Sequence, residues 1–395
     1  MQSISSISRI DPFADDVLAD PYPAFAELRD AGPAVWLERH RIWACARYAE
    51  VHAGLRDWET FSSAAGTGID DLRHGEAWRP PSLIAEVDPP MHERSRAVMK
   101  RALSAKAMAG MRESFKEAAE SLADDLIARG RIDAVKDMAE AYPLSVFPQA
   151  IGLGPDGLGN LVAYGDMVFN AIGPRNARFQ EAMAEAAKVI PWITARCARE
   201  ALSASSMGAV IWGAVDSGEM TAEQAPLLVR SLLSAGLTTI AAIGNAIHAF
   251  ATHPEQWQAL RANPSLIRTT FDEILRWEAP VQMFFRTTTR AIEFDGVMVP
   301  PDAKVLMMTA SANRDPRKWD DPDTFDINRK LSGHVAFGTG IHACVGQILA
   351  RLELEMILTA IASRVQRIEI AAEPRRKLNN TVRQFASLPV ELIAA

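Results

Sequence analysis

The sequence predicts a mainly α-helical protein with a small β portion. Apolar residues recur with a period near 3.6 over residues 99–129, 179–201 and 227–251, which is the pattern of helices that pack in a core. Strand patterns are few and short. Strands and helices do not alternate regularly along the chain, which excludes a doubly wound sheet or an α/β barrel.

The chain organisation favours one domain over residues 1–395. A length of 395 residues permits two or three domains, but Gly and Pro are spread evenly and no Pro- or Gly-rich linker divides the sequence. We expect residues 1–10 to be a loose N-terminal segment.

Two β-hairpins account for most of the predicted strands. Residues 34–37 and 42–47 form the first, and Ile292–Phe294 with Val297–Val299 form the second. The second pair is separated by Asp295-Gly296, a dipeptide that favours a two-residue hairpin turn. A further strand is expected over residues 305–309.

Composition and charge exclude several classes of protein. The 42 Lys and Arg against 49 Asp and Glu give a net charge of −7, whereas nucleic-acid-binding proteins are usually basic. The polar N-terminus lacks the features of a signal peptide. We find no stretch near the roughly 18 apolar residues of a membrane span, the best being residues 209–215. We therefore expect a soluble cytoplasmic protein that binds neither nucleic acid nor membrane.

Three cysteines are present: Cys45, Cys197 and Cys344. They are too few and too far apart for a disulfide framework or a cysteine zinc site, and they fit a reducing compartment. Cys45 and Cys197 are interpreted as packing residues.

Cys344 lies in an unusual segment, because residues 337–346 read FGTGIHACVG. Gly338 and Gly340 permit a tight loop close to a flat, bulky group. Gly346 begins an amphipathic helix, of which we expect three residues to point inward: Ile348, Leu349 and Leu352. A thiol ahead of a helix N-terminus meets unpaired N–H groups that favour the thiolate. This arrangement suits a single-thiolate metal ligand.

This segment resembles the haem-binding signature of the cytochrome P450 family at every expected position: Phe337, Gly338, Gly340, His342, Cys344 and Gly346. The resemblance extends from about residue 11 to the C-terminus. It implies a single-domain cytochrome P450 fold, with haem b between a long central helix and the cysteine-bearing loop. It also implies that the Cys344 thiolate is the axial ligand of the iron. The implied activity is a monooxygenase reaction with O2 and electrons from NAD(P)H, delivered by a reductase and an iron–sulfur ferredoxin.

Other residues extend the resemblance. Glu273 and Arg276, three apart on one helix face, resemble the structural Glu-x-x-Arg pair of the family, and Arg329 resembles its third member. The family's haem-propionate positions correspond to four residues: His92, Arg96, Arg286 and His342. Taken alone, each of these charged residues also fits an ordinary surface position.

The segment RSLLSAGLTT, residues 230–239, resembles the helix that covers the haem iron. Ala235 and Gly236 match the small residues of the family, but the acid that follows them is absent. Either Thr238 replaces the acid and Thr239 is the alcohol, or the acid is deleted. We favour deletion, which predicts a regular helix without a π-bulge over residues 237–240. Loss of the carboxylate predicts slow or poorly coupled turnover, although water or the two hydroxyls offer another proton route.

Residues 78–84, 142–148, 227–237 and 281–289 most closely resemble the bacterial class that O-demethylates para-methoxybenzoate. This resemblance implies O-demethylation or hydroxylation of a para-substituted benzoate or related aromatic carboxylate. The implied carboxylate-binding residues are Arg79, Ser82, Arg230 and Ser231. The implied pocket walls are Phe169, Val281, Phe284, Ser234 and Ala235. Ile172 and Ala85 replace an aromatic residue and a leucine, respectively, which predicts a wider pocket.

A local basic segment offers a docking face for an acidic ferredoxin. Its residues are Arg94, Arg96, Lys100, Arg101 and Lys106. An ordinary solvated helix face is the alternative. We expect a monomer. Two other functions remain open, a peroxide-dependent haem enzyme and a haem-based binding or sensing protein with little turnover.

Overall fold

The structure is a computed structural model that describes residues 6–74 and 77–395. Within these ranges the helices are α1 Asp15–Ala19, α2 Tyr22–Ala31, α3 Tyr48–Arg56, α4 Met91–Ala102, α5 Ala105–Arg129, α6 Ala141–Ile151, α7 Gly159–Asn170, α8 Ala177–Met183, α9 Ala186–Arg196, α10 Met207–Asp216, α11 Gln224–Thr252, α12 Pro254–Ala262, α13 Ile267–Trp277, α14 Thr309–Ala312 and α15 Gln347–Ala362. A π-helical segment, Ala134–Glu140, precedes α6.

The strands of the same ranges are β1 Ile7–Ser8, β2 Val35–Leu37, β3 Ile42–Cys45, β4 Phe61–Ser62, β5 Arg131–Asp133, β6 Phe284–Thr288, β7 Ile292–Phe294, β8 Val297–Val299, β9 Lys304–Met307, β10 Val365–Ile370, β11 Arg375–Lys377, β12 Gln384–Ser387 and β13 Pro389–Ala394. Six of them form one sheet in the order β1-β2-β3-β9-β6-β4. The others form a three-stranded sheet, β10-β13-β5, and the pairs β11-β12 and β7-β8. The predicted mainly helical fold with a small β portion is confirmed.

Both predicted hairpins are confirmed by their registers. Trp36 is opposite Trp43 in the antiparallel pair β2-β3, and Glu293 is opposite Met298 in β7-β8. The expected strand over residues 305–309 is present as β9, which pairs in parallel with β3 and antiparallel with β6.

Two of the three segments predicted as long helices are interrupted in the structure. Residues 99–129 are divided between α4 and α5, because the Ser104 side chain accepts a hydrogen bond from the Ala107 amide and caps a new helix. Residues 179–201 are divided among α8, α9 and a 3₁₀ turn, Arg199–Ala201. An interruption of one or two residues barely shifts the apolar period, so periodicity did not reveal it.

The third long prediction corresponds to α11, the central helix of the fold. It runs through the largest apolar core and contacts α6, α7, α10, α13 and α15. The sequence predicts no stretch that approaches a membrane span, and this prediction is wrong for α11, which is long and apolar enough to cross a membrane. However, 61% of its apolar window is buried inside the fold.

The N-terminal expectation is also corrected. Ile7–Ser8 pairs in parallel with β2, so the segment over residues 1–10 is not loose at these positions. Residues 1–5 lie outside the described residues.

Candidate active site

A cavity of about 320 Å³ lies between α11 and the loop that carries Cys344. The residues that α11 contributes are Ser234, Ala235, Thr238, Thr239 and Ala242. The loop contributes Phe337, Gly338, His342 and Cys344. The wall residues expected from the sequence also line it: Ala85, Phe169, Ile172, Val281 and Phe284. The structure thus brings together most of the residues selected from the sequence.

The Cys344 loop needs its glycines for backbone conformation and for space. Gly338 and Gly340 have φ angles of 65° and 71°, a region that side-chain-bearing residues rarely adopt. A Cβ atom on Gly340 would lie 2.6 Å from the Leu55 carbonyl oxygen. The Cys344 amide donates to the Phe337 carbonyl at 2.8 Å, which closes the loop just before α15.

The amides of Gly346 and Gln347 lower the pKa of the Cys344 thiol, as expected from the sequence, but burial outweighs them. Burial raises the pKa of this thiol, and the opposing effects of the Gly346 and Gln347 amides and of the Arg96 charge do not cancel this increase. Burial disfavours the charged form because water is removed from it. A bound metal ion deprotonates a coordinating thiol, so haem iron would convert Cys344 to the thiolate.

The other two cysteines are buried and free. Burial raises the pKa of Cys197 to about 12 and also raises the pKa of Cys45. Both therefore remain neutral thiols, as packing residues do.

The inward orientation expected for the start of α15 holds for two of three residues. Leu349 and Leu352 are buried, but Ile348 is 46% exposed. Ile348 lies in the first turn, where α5 and α13 leave a surface groove that it borders together with Met108 and Phe271. The helical period alone did not show that the core ends before this turn.

Two histidines form a buried pair at one side of the cavity. The rings of His92, on α4, and His342 are 4.4 Å apart in an edge-to-face arrangement. Both ring nitrogens of His92 and Nε2 of His342 are buried without a hydrogen-bond partner among the described residues. Burial, together with the neighbouring His342 and Arg96 charges, lowers the pKa of His92 to about 4. Such unsatisfied atoms point to a missing polar group.

Two arginines face the same region. Arg96 lies one turn beyond His92 on α4, and Arg286 lies on β6; both line the cavity. Neither guanidinium forms an ion pair with a carboxylate in the part of the chain that the structure describes, whereas His342 Nε2 lies 3.9 Å from Asp88 Oδ1. Burial lowers the pKa of Arg286 to about 10. Arg286 is buried and donates to the Phe285 carbonyl, and Arg96 is half-buried. Cations that lack a carboxylate partner beside a cavity fit a bound anionic group, so the haem propionates expected from the sequence suit this cluster.

Glu273, Arg276 and Arg329 meet in a buried network. Arg276 donates through Nε and one terminal nitrogen to the Glu273 carboxylate at 2.7 and 2.8 Å. Arg329 Nε donates to Glu273 Oε1 at 3.3 Å. Arg276 also donates to three backbone carbonyls, those of Asn313, Pro322 and Thr324. Since Glu273 and Arg276 have no exposed side-chain surface, a surface pair is excluded.

The helix over the cavity is regular. α11 is α-helical without interruption from Gln224 to Thr252, as the deletion alignment requires. The Thr238 hydroxyl donates to the Ala235 carbonyl at 2.8 Å, and Thr239 is 9% exposed. Both threonines line the cavity.

Glu353 is a buried acid that the sequence analysis missed. It lies on α15, is 2% exposed, and its Oε1 has no hydrogen-bond partner among the described residues. Burial raises the pKa of Glu353 to about 8, and the nearby Thr239 hydroxyl only partly offsets this effect. An acid on the apolar face of the ILARLELEMIL helix was the available signal.

The predicted carboxylate-binding residues are only partly assembled. Arg79 and Ser82 line the cavity, and the Ser82 and Ser231 hydroxyls are 3.1 Å apart. Arg230 is placed differently from the expectation. It is not among the cavity-lining residues, and its guanidinium donates to the Pro80 and Pro81 carbonyls at 2.7 and 3.3 Å. It therefore anchors the segment that carries Arg79.

Glu86 is the second acid that the sequence analysis missed. It forms a two-point ion pair with Arg79, with N–O distances of 2.9 and 3.1 Å, and it is 8% exposed. No sequence pattern marks it, because the pairing depends on the turn between residues 79 and 86.

The basic segment proves smaller than the sequence indicates. Arg96 faces the cavity, and Arg101 pairs with Glu219 at 2.9 Å. Arg94, Lys100 and Lys106 are exposed. These three residues are left for contact with a partner.

Comparisons with known proteins agree with this geometry. A family model described as cytochrome P450 matches residues 213–392. Cytochrome P450 CYP199A2 of Rhodopseudomonas palustris is 52% identical over 388 residues, which span 98% of this chain and 94% of the relative. The cytochrome P450 monooxygenase PikC of Streptomyces venezuelae is 31% identical, over 95% of this chain and 92% of the relative.

Solved structures show the same fold. Cytochrome P450 CYP109Q5 from Chondromyces apiculatus superposes with a TM-score of 0.83 at 31% identity, over 99% of each chain. Cytochrome P450 CREJ in complex with (4-ethylphenyl) dihydrogen phosphate gives a TM-score of 0.87 at 26% identity, over 97% of this chain and 98% of that one.

Proposed function

Because this chain belongs to the cytochrome P450 family of haem-thiolate monooxygenases, we propose that it oxidises a para-substituted benzoate or a related aromatic carboxylate. The reaction is O-demethylation or hydroxylation. The observation that carries the proposal is a cavity with an arginine and serine end at Arg79 and Ser82, apolar walls, and Cys344 among its lining residues.

The chain's own residues supply the haem site. Cys344 would hold the haem iron, and His92, His342, Arg96 and Arg286 would hold the propionates. When bound, the haem supplies the activation of O2, in which one oxygen atom enters a substrate C–H bond and the other leaves as water after two electrons and two protons are consumed. In O-demethylation the hydroxylated methoxy carbon then leaves as formaldehyde.

Positioning is the main task of the pocket residues. Arg79 N–H groups and the Ser82 hydroxyl hold the carboxylate, since a guanidinium matches a carboxylate in shape and charge. Phe169, Val281 and Phe284 hold the ring and exclude water. Fixing one end of a flat substrate leaves its para substituent facing the Cys344 side, which lowers the entropic cost of reaction.

Proton supply falls to the hydroxyls of α11. Thr239 lies on the cavity and interacts with Glu353, whose raised pKa keeps a proton near neutral pH. Thr238 is the alternative alcohol, with its own hydrogen bond directed to the Ala235 carbonyl.

We also propose an acidic iron–sulfur ferredoxin with its NAD(P)H-dependent reductase as the electron source, met by the exposed cations Arg94, Lys100 and Lys106. A cytoplasmic monomer with one domain over residues 1–395 is the corresponding cellular form.

The proposal is tested by optical titration of the haem protein with 4-methoxybenzoate and with its neutral analogue 4-methoxyacetophenone. The acid is expected to displace the iron-bound water at a concentration at least tenfold lower than the ketone. Arg79→Gln should weaken acid binding about 10- to 100-fold, the value of a lost charged hydrogen bond, and leave the ketone unaffected.

Arg175→Gln is the matched control. Arg175 lies on the outer pocket that Arg79 also lines, but it pairs with Asp70, so acid binding should change less than threefold. Equal affinities of the wild-type protein for acid and ketone would contradict the proposed function.

A further inference from the structure

We propose that Glu86 sets the charge of the anion-binding end, so that the pocket accepts monoanionic head groups and rejects dianionic ones. This inference rests on the proposed function, because it concerns the same Arg79 end of the cavity. It assigns a specificity-determining role to a residue that does not line the haem cavity itself.

Glu86 is held firmly behind Arg79. Its two carboxylate oxygens accept from the two terminal nitrogens of Arg79 at 2.9 and 3.1 Å, and Oε2 also accepts from the Ser82 amide at 2.7 Å. The Thr67 hydroxyl lies 3.5 Å from Oε1. The side chains of Arg79 and Glu86 are only 17% and 8% exposed, so solvent screening of this pair is limited.

Arg79 separates two cavities. It lines both the haem cavity and an outer pocket of about 330 Å³, whereas Glu86 lines only the outer pocket. Glu86 therefore approaches the guanidinium from the outer side and leaves the inner side to the substrate.

The hydrogen-bond count of Arg79 allows both partners at once. A guanidinium has five N–H groups, of which two point to Glu86 and one to the Pro80 carbonyl. The Nε–H and the second N–H of Nη2 remain, and these two share one edge of the planar group. A substrate anion can bind this edge while Glu86 stays in place.

The charge of Glu86 acts against a second negative charge on the ligand. Glu86 already pairs with the Arg79 guanidinium at 2.9 and 3.1 Å. Two further cations lie nearby, and their side chains contact only backbone carbonyls: Arg230 and Lys304. Glu86 repels each negative charge that a ligand brings to Arg79, so it disfavours a dianion more strongly than a monoanion.

The test uses two ligands of equal shape and different charge. The probes are 4-ethylphenyl sulfate, a monoanion, and 4-ethylphenyl phosphate, which is a dianion at pH 8 because the second pKa of a phosphate monoester is about 6. Their affinities for the haem protein are measured by calorimetry, which needs no turnover. The wild-type protein should bind the sulfate at least tenfold more tightly than the phosphate.

Glu86→Gln keeps the size of the side chain and an acceptor for Arg79, but removes the charge. Glu86 repels each negative charge of the ligand, so removal of its charge helps a dianion more than a monoanion. The ratio of phosphate to sulfate affinity should therefore rise about tenfold. Glu86→Ala should weaken both affinities by disordering Arg79, yet the ratio should still rise. Asp70→Asn removes a charge from the same outer pocket, where Asp70 pairs with Arg175, and should leave the ratio within twofold.

The outcomes separate this inference from the proposed function. If the wild-type protein binds the sulfate no better than neutral 4-ethylbenzyl alcohol, the anion-binding function itself is wrong. If the sulfate binds well but the ratio is unchanged in both Glu86 variants, or changes equally in Asp70→Asn, the role of Glu86 is wrong.

Discussion

The buried acid Glu353 makes the stability of the protein depend on pH in a defined direction. Its pKa is about 8 in the folded protein, against an ordinary value of 4.5. The folded state therefore keeps a proton that the unfolded chain loses between pH 4.5 and 8. Stability that is present below pH 4.5 is lost as the pH rises to 8.

The size of this loss follows from linkage. Each pKa unit corresponds to about 1.4 kcal/mol, so the difference between 4.5 and about 8 costs at most about 5 kcal/mol. Glu353→Gln removes the titration while it retains a side chain of similar shape. Near pH 4.5 to 5 the free energy of unfolding of the variant should differ from that of the wild-type protein only by the cost of an altered hydrogen bond, about 1–3 kcal/mol. At pH 8 it should be more stable than the wild-type protein by several kcal/mol.

The assay is urea unfolding of the haem protein at pH 5 and pH 8, followed by circular dichroism. Glu355→Gln is the control, because Glu355 lies on the same helix but reaches the surface, where it pairs with Arg112 and Arg268. The difference in the free energy of unfolding between Glu355→Gln and the wild-type protein should not grow between pH 5 and pH 8. If the difference in the free energy of unfolding between Glu353→Gln and the wild-type protein is equal at pH 5 and pH 8, the titration of Glu353 does not control stability.

Three further predictions follow. Because α11 lacks an acid of its own beside the cavity, we expect slow proton supply and less than one product molecule per NADH consumed. Both amounts are measured in the same reaction, and a ratio near one would contradict slow proton supply. Arg276→Ala should destabilise the protein by about 3–5 kcal/mol, because the buried Glu273 loses its two-point partner and keeps only the longer ion pair with Arg329 at 3.3 Å; a loss below 1 kcal/mol in urea unfolding would contradict this. Lys100→Ala and Lys106→Ala should each raise the KM for ferredoxin and reduce its salt dependence, whereas Arg101→Ala, already paired with Glu219, should do so less. An unchanged KM for ferredoxin in both the Lys100→Ala and the Lys106→Ala variants would place the docking face elsewhere.

The residues that the sequence placed correctly are those with a local geometric requirement. The glycine spacing around Cys344 predicts a tight loop from residue types alone, and the Asp295-Gly296 turn predicts its hairpin in the same way. A spacing of three or four residues on one helix likewise brought Glu273 to Arg276 and His92 to the neighbourhood of Arg96.

The residues that the sequence did not place depend on packing between distant elements. Glu86 meets Arg79 only because the chain turns between them, and Glu353 faces Thr239 only because α15 packs beside α11. The exposure of Ile348 likewise depends on where α5 and α13 end against α15. Apolar periodicity carries no information on such contacts.

The most direct test of the central claim is product analysis with 4-methoxybenzoate, O2, NADH, ferredoxin and reductase. We expect 4-hydroxybenzoate and formaldehyde in equal amounts, with 4-methoxyacetophenone oxidised at least tenfold more slowly at the same low concentration. Arg79→Gln should remove this preference for the acid. Equal rates for acid and ketone in the wild-type protein, or no oxidised product from the acid, would contradict the central claim.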